Sequence, residues 1–192
     1  SAASHESDNS GTIQLLVDAG LCVNDISQDT EKTTALHLAC KFSITPTVNC
    51  LLKAKADVNH VDEYKWSPLA YAAKYGDANM INLLVSYKAE PNPIDGHAPL
   101  VKAAEKIKLD NIQALLESGA TVNQLDEKGN SALHMACKNG SVRCVQVLLK
   151  SHADVAIMNR KGHLPFDLAQ GHSKDIILKM LFKKGLYNVI QN

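Results

Sequence analysis

Apolar residues in this chain come in two short helical bursts, and the two-burst block recurs along its length. Residues 126–158 show it most completely. Ser131 stands where a side chain can cap the first backbone amides of a helix whose apolar stripe is Leu133, Ala136 and Cys137. Gly140 then offers a left-handed residue that ends it. A second burst places Val142, Val145, Leu148 and Leu149 on one face, and Ser151 to Val155 turn the chain back. Each predicted helix is only two to three turns long, too short to be stable alone. Such a unit needs neighbours.

Neighbours occur at a fixed period. Residues 29–61 and 62–94 align with 126–158 without a gap, at about 33 residues each. Thr34-Ala35-Leu36-His37-Leu38-Ala39, Ser67-Pro68-Leu69-Ala70-Tyr71-Ala72 and Ser131-Ala132-Leu133-His134-Met135-Ala136 fill one slot, and Ala56-Asp57-Val58-Asn59 and Ala120-Thr121-Val122-Asn123 fill another. The chain resembles the ankyrin-repeat family, whose pattern reads T-P-L-H-x-A, then paired leucines, then G-A-D-V-N. The resemblance implies an all-α ankyrin-repeat solenoid of helix-turn-helix units with short hairpin tips, about five to six repeats including caps.

The copies are not equal. Residues 1–26 read as a partial or degenerate first repeat, through Ile13, Leu15, Leu16 and Val23-Asn24, either a worn cap or part of a longer array. Residues 27–61 form the next repeat, with Thr45-Pro46 expected as N-cap and first-turn proline of its second helix. Residues 62–94 leave through Pro91-Asn92-Pro93, and residues 95–125 have a shortened tip, Asp95-Gly96-His97, and Ile107 at the inter-helix glycine slot. A local change of curvature is expected at this junction. Residues 126–158 follow, and residues 159–185 form a capping repeat whose last helix turns Ile176, Ile177, Met180 and Leu181 inward. The tail, 186–192, fits no repeat.

Composition removes several functions. Lys plus Arg and Asp plus Glu are 20 each, so no global field argues for nucleic acid. The N-terminus has no basic start, and no apolar run of about 18 residues suits direct membrane insertion. Five cysteines without a C-x-x-C pair read as reduced and structural, and the expected location is cytoplasmic or nuclear. A monomer is expected.

Chemistry finds no foothold. His37 and His134 occupy the histidine of the repeat motif, which the family resemblance assigns to ties between turns, starting with Thr34 and Ser131. The remaining histidines show no metal-ligand spacing, so no metal site is expected. There is no G-x-S-x-G, Walker-type loop or G-x-G-x-x-G after a strand, so neither a cofactor nor catalysis is expected. Asp62, Asp95 and Asp126 open successive tips, where their side chains serve local amides.

The surface remains. The resemblance implies that partners are gripped by the hairpin tips and the exposed face of the first helices. On those helices stand Lys41, Phe42, Lys74, Tyr75, Lys106 and Lys138; the tips bring Tyr64, Trp66 and His97. Clustered exposed aromatics are the usual anchors of an interface. Lysines beside them point to a protein or peptide partner with an apolar anchor and acidic neighbours. The expected role is a non-catalytic protein-protein interaction module, an adaptor or scaffold that holds this segment in a concave groove. The alternative is the regulatory ankyrin domain of a larger enzyme, channel or ubiquitin-ligase component.

Overall fold

The computed structural model describes residues 15, 22–28, 30–94, 96–169 and 174–183. The first-repeat residues Ile13 and Leu16, the tip residue Asp95 and the tail 186–192 lie outside them. Paired short helices follow one another: α1 (Ala35–Lys41) and α2 (Thr45–Lys53), α3 (Pro68–Tyr75) and α4 (Ala78–Ser86), α5 (Pro99–Glu105) and α6 (Leu109–Glu117), α7 (Ala132–Lys138) and α8 (Val142–Lys150). A 3-10 helix, Pro165–Leu168, and α9 (Lys174–Leu181) close the described array. The first helices stack side by side as one layer, α1 on α3 on α5 on α7, and the second helices stack as another. This is an all-α solenoid.

The stack is held by the same slots in each unit. Leu36, Leu69, Leu100 and Leu133 are buried in the first layer, Val48, Ile81, Ile112 and Val145 in the second, and Leu51, Leu84, Leu115 and Leu148 beside them. Burial of each such side chain contributes about 1.5–3 kcal/mol relative to exposure. That gain comes only when the next repeat covers the face, which is why helices this short persist. At the C-terminal end, Ile177 and Leu181 of α9 are buried, whereas Ile176 is half exposed rather than inward. Consecutive positions on a helix are about 100° apart, so Ile176 and Ile177 do not share one narrow face.

A polar ladder runs beside this core. The Oδ1 of Asn24 accepts from the Asp57 amide at 2.7 Å, Asn59 from Glu90 at 2.8 Å, Asn92 from Thr121 at 2.6 Å and Asn123 from Asp154 at 2.9 Å. Asn59 and Asn92 also donate forward, to the Lys88 and Gly119 carbonyls. Each asparagine thus satisfies backbone groups of the next repeat that a loop would otherwise leave to water. Pro91 and Pro93 flank Asn92 without breaking its rung.

Helix starts follow the sequence with one exception. Ser131 accepts from the His134 amide and Ser67 from the Ala70 amide, as N-caps do. Thr45 is not a cap: it is already helical, Ile44 holds the cap position, and no side-chain cap bond forms. The proline at the helix start fixes the backbone without needing that bond.

The inter-helix slot is less regular. Gly76 adopts φ −76°, a conformation open to any residue, but a Cβ there would meet the Ala72 carbonyl oxygen at 2.9 Å. Space, not backbone angle, selects the glycine. Ile107 has the opposite problem, with φ +58° in a region that disfavours β-branched side chains. It is half exposed, so little core depends on it. Ile107→Gly is therefore expected to stabilise the fold by about 1 kcal/mol, the relieved strain exceeding the added chain entropy. A urea midpoint that falls in this variant would refute the strain.

Candidate functional site

The groove-facing cluster begins at the tip of residues 62–66. Asp62 is buried, and its Oδ1 accepts from the Tyr64 and Trp66 amides, both at 2.9 Å. Its Oδ2 accepts from the Tyr71 hydroxyl at 2.8 Å. Burial, followed by this acceptor, pushes the Tyr71 phenol above its usual range. One aspartate therefore shapes the turn and fixes an aromatic ring of α3.

Trp66 lies against that ring, 4.9 Å between centroids, and against His97 of the following tip at 4.6 Å. Two ammonium groups approach its face: Lys74 at 5.0 Å and Lys102 at 4.8 Å from the centroid. Glu105 holds both, at 3.4 Å from Lys74 and 3.9 Å from Lys102. One carboxylate thus faces two ammoniums. Burial lowers the Lys102 pKa, opposed by Glu105 and reinforced by Lys74. The side chains of Lys74 and Lys102 are only 16% and 12% exposed, so their cation-π contacts are partly desolvated and stronger than surface ones.

His97 completes the cluster. Burial is the main cause of its lowered pKa, with the Lys102 charge second and Glu127 opposing. Its Nδ1 is buried and has no hydrogen-bond partner among the described residues. The Glu127 carboxylate, 3.8 Å from Nε2, consequently faces a neutral ring at pH 7.

Beyond His97 the groove opens. A depression of about 270 Å³ is walled by Lys74, Lys102, Lys128 and Lys138, by Glu105, Asp126 and Glu127, and by Met135, and adjoins one of about 470 Å³ reaching Arg160 and His163. Lys138 is exposed between them. The first helices and their caps carry Lys41, Lys74, Lys102, Lys106 and Lys138 against Glu105, while the tips bring Glu31 to Lys41 and Asp126 and Glu127 to the depression.

Among the expected residues, Trp66, Lys74, Tyr75 and His97 come together, Tyr75 through Lys74 at 5.6 Å and the stacked Tyr71 ring. Lys41 joins through Tyr71, 5.9 Å from its centroid, while pairing with Glu31 at 3.7 Å. Phe42 and Tyr64 are exposed, at 66% and 54%, outside the ring-to-ring contacts of the cluster. Lys106 caps α5 and is exposed apart from it. Trp66 is half-buried, so its indole offers one edge rather than a free face. Sequence reasoning passed over Lys102 and Tyr71. Lys102 shares a slot with Leu38, Tyr71 and Met135, and a lysine at an otherwise apolar position was the signal.

The sides of the groove are fixed by neighbouring repeats. Lys108 donates to the Tyr75 and Gly76 carbonyls, and buried Asn111 donates to Ala73 and Gly76, closing the C-terminal end of α3. Asn139 does the same for Ala104 and Glu105. Rigid carbonyl ends hold Lys74 and Glu105 in place.

Nucleophilic chemistry has little support here. Burial pushes the Cys40 and Cys137 thiols up to about 12, leaving them protonated. Among the described residues no group of His, Cys, Asp and Glu is placed to hold a metal ion, and no helix is long and apolar enough to cross a membrane.

Comparison with known proteins adds the lineage. The sequence profile described as Ankyrin repeats (3 copies) matches residues 1–95 and 100–192. The chain is 33% identical over 150 residues to Neurogenic locus notch homolog protein 1 of Xenopus tropicalis, covering 75% of this chain and 6% of that protein. It is 30% identical over 174 residues to the B-cell lymphoma 3 protein homolog of Mus musculus, covering 87% of this chain and 38% of that protein. Ankyrin repeat protein nuc-2 of Neurospora crassa is 28% identical over 173 residues, 16% of its length. The matched stretch is thus a minor part of each of these relatives.

Proposed function

Because the chain belongs to the ankyrin-repeat family, whose repeats mediate protein-protein interactions, we propose that it works as an adaptor or scaffold that holds an acidic-hydrophobic segment of a partner in its concave groove. The observation that carries this reading is the Trp66 cluster. A tryptophan edge flanked by Lys74 and Lys102, which share Glu105, offers an apolar contact beside two ammonium groups. A partner carboxylate arriving there adds a charge-assisted contact in a partly desolvated setting, where such contacts are strongest. Exposed Lys138 and half-buried Lys41, the latter paired with Glu31, extend the same sign along the groove and steer approach.

A zero-length carbodiimide reagent tests the polarity, since it joins lysine amines only to carboxylates already in contact. With partners captured from cell extract, cross-links are expected from Lys41, Lys74 and Lys138 and not from Lys53 and Lys150 on the second helices. Cross-links confined to Lys53 and Lys150 would place the interface on the opposite layer and overturn the reading.

The relatives' lengths favour one further possibility, in which the same groove is the regulatory ankyrin domain of a larger enzyme, channel or ubiquitin-ligase component. Sequencing the full-length transcript tests it. A frame with no other domain would refute it.

A further inference from the structure

The two depressions of the groove share a wall but differ in charge. With their histidines counted as neutral, the smaller sets Lys74, Lys102, Lys128 and Lys138 against Glu105, Asp126 and Glu127, a surplus of one positive charge. The larger sets Lys128, Lys138, Arg160 and Lys161 against Glu127, a surplus of three. Glu127 is the shared acid, and its carboxylate contacts the His97 ring at 3.8 Å, on the side of the smaller depression. Among the described residues no carboxylate pairs with Lys128, Lys138, Arg160 or Lys161, and all four are exposed.

Other acids at this end are already engaged by backbone. Asp126 accepts from the Lys128 and Asn130 amides, both at 2.8 Å, and from the Asn130 side chain at 3.1 Å. Asp167 accepts from the Leu164 amide at 2.8 Å. The two tips that carry the cations are tied together: the Arg160 amide donates to the Lys128 carbonyl at 2.9 Å, and the Asn159 side chain donates to Asn130 Oδ1 at 2.9 Å. A Cβ added at Gly129 would meet the Arg160 nitrogen at 2.9 Å and its Cγ at 3.3 Å, so the glycine leaves room for the arginine stem. The tip amides close their own turns, Gly129 on the Asp126 carbonyl, Gly162 on the Asn159 carbonyl, and Lys161 and His163 on Asn159 Oδ1. An anion arriving here is therefore held by side chains. One of them is a guanidinium, whose fork suits two oxygens of a single group.

The surplus selects the ligand. A carboxylate brings a single negative charge, whereas a phosphorylated side chain brings about −1.5 to −2 and three acceptor oxygens. We propose that the depression between the tips at Lys128 and Arg160 is a subsite for a phosphoserine or phosphothreonine of the partner, gripped by Arg160, Lys161, Lys128 and Lys138, so that phosphorylation of the partner strengthens its hold in this groove. Buried Met135 and half-buried Leu168 line the same depression and offer contact to an apolar neighbour of the phosphorylated residue. A nucleic acid fits less well, because no Trp, Tyr or Phe lines the depression to stack a base and the chain has no overall positive charge. The proposal rests on the groove reading above and adds the chemistry of one end.

The probe is a fluorescein-labelled peptide pool with a central phosphoserine and random flanking residues, compared with the same pool carrying serine. Fluorescence polarisation should show the phosphoserine pool binding about tenfold more tightly, and Arg160→Gln/Lys161→Gln should remove that preference. Lys53→Gln/Lys150→Gln, which takes the same charge from the second helices, should keep it. All four residues are exposed, and circular dichroism verifies the fold. Equal affinity for the two pools, or no saturable binding at millimolar peptide, overturns the proposal. So does a preference that survives in Arg160→Gln/Lys161→Gln, or one that Lys53→Gln/Lys150→Gln abolishes as well. Inorganic phosphate displacing the pool at micromolar concentration would make this a site for the free anion and also overturn it, as would a thymidine oligonucleotide that binds through the same two residues more tightly than the phosphoserine pool. Trp66→Ala/Tyr75→Ala separates the two readings, since it should weaken both pools alike and leave the preference. If it weakens them while the wild type shows no preference, the groove stands and the subsite falls.

Discussion

Replacing His37 by alanine is expected to lower the unfolding free energy by about 3 kcal/mol, because it removes a side chain that joins three backbone segments. The Thr34 amide donates to Nδ1 at 3.1 Å, which fixes the proton on Nε2. From there it is shared between the His60 and Trp66 carbonyls, each at 3.1 Å. The imidazole is fully buried. Alanine leaves a cavity, an unpaired buried amide and two carbonyls that have lost a donor. The Trp66 carbonyl belongs to the tip that positions the groove's indole, so the substitution also loosens the site. Urea denaturation checks this; a loss below 1 kcal/mol would mean that water replaces the ring. His37→Gln should recover part of the loss by donating to one carbonyl.

Acid is expected to destabilise the fold over the same contacts. His134 repeats the arrangement, accepting from the Ser131 amide at 3.1 Å and contacting the His163 carbonyl through Nε2 at 3.1 Å. Burial is the main cause that holds His37, His134 and His97 below the usual imidazole value of 6.5. Protonation at Nδ1 would also set two donors face to face at His37 and His134. Between the lowered folded values and 6.5 the unfolded chain binds more protons, so stability rises with pH there. It is complete above 6.5 and lost as pH falls through the folded values. The limiting slope is about 1.4 kcal/mol per pH unit for each histidine. Thermal unfolding between pH 8 and 5 should show a falling midpoint on the acid side, flattened in His37→Gln/His134→Gln. A midpoint that is level or rises toward pH 5 would contradict this.

The repeating parts of the molecule were legible because they obey a period. The leucine slots at Leu36, Leu69, Leu100 and Leu133, the caps at Ser67 and Ser131 and the asparagines of the ladder each recur, so one copy explains the next. What the sequence concealed depends on contacts between repeats. Asn111 looks like an ordinary polar position on α6, yet it is buried against the end of α3. Trp66 looked like a free anchor, but Lys102 and His97, one repeat on, enclose it on the side a linear reading cannot see. Gly76 and Ile107 show the limit from the other side, since a slot named for glycine is filled for space in one repeat and tolerates strain in another.

The concave face around Trp66 is tested most directly by affinity purification with mass spectrometry, comparing the wild type with Trp66→Ala/Tyr75→Ala. Near-ultraviolet circular dichroism and urea midpoints first establish that the variant is folded. At least one partner recovered by the wild type should be lost or reduced more than about fivefold in the variant, as expected for a hot spot worth over 1 kcal/mol. Recovery of the same partners in the same amounts from the folded variant would contradict a binding surface centred on Trp66.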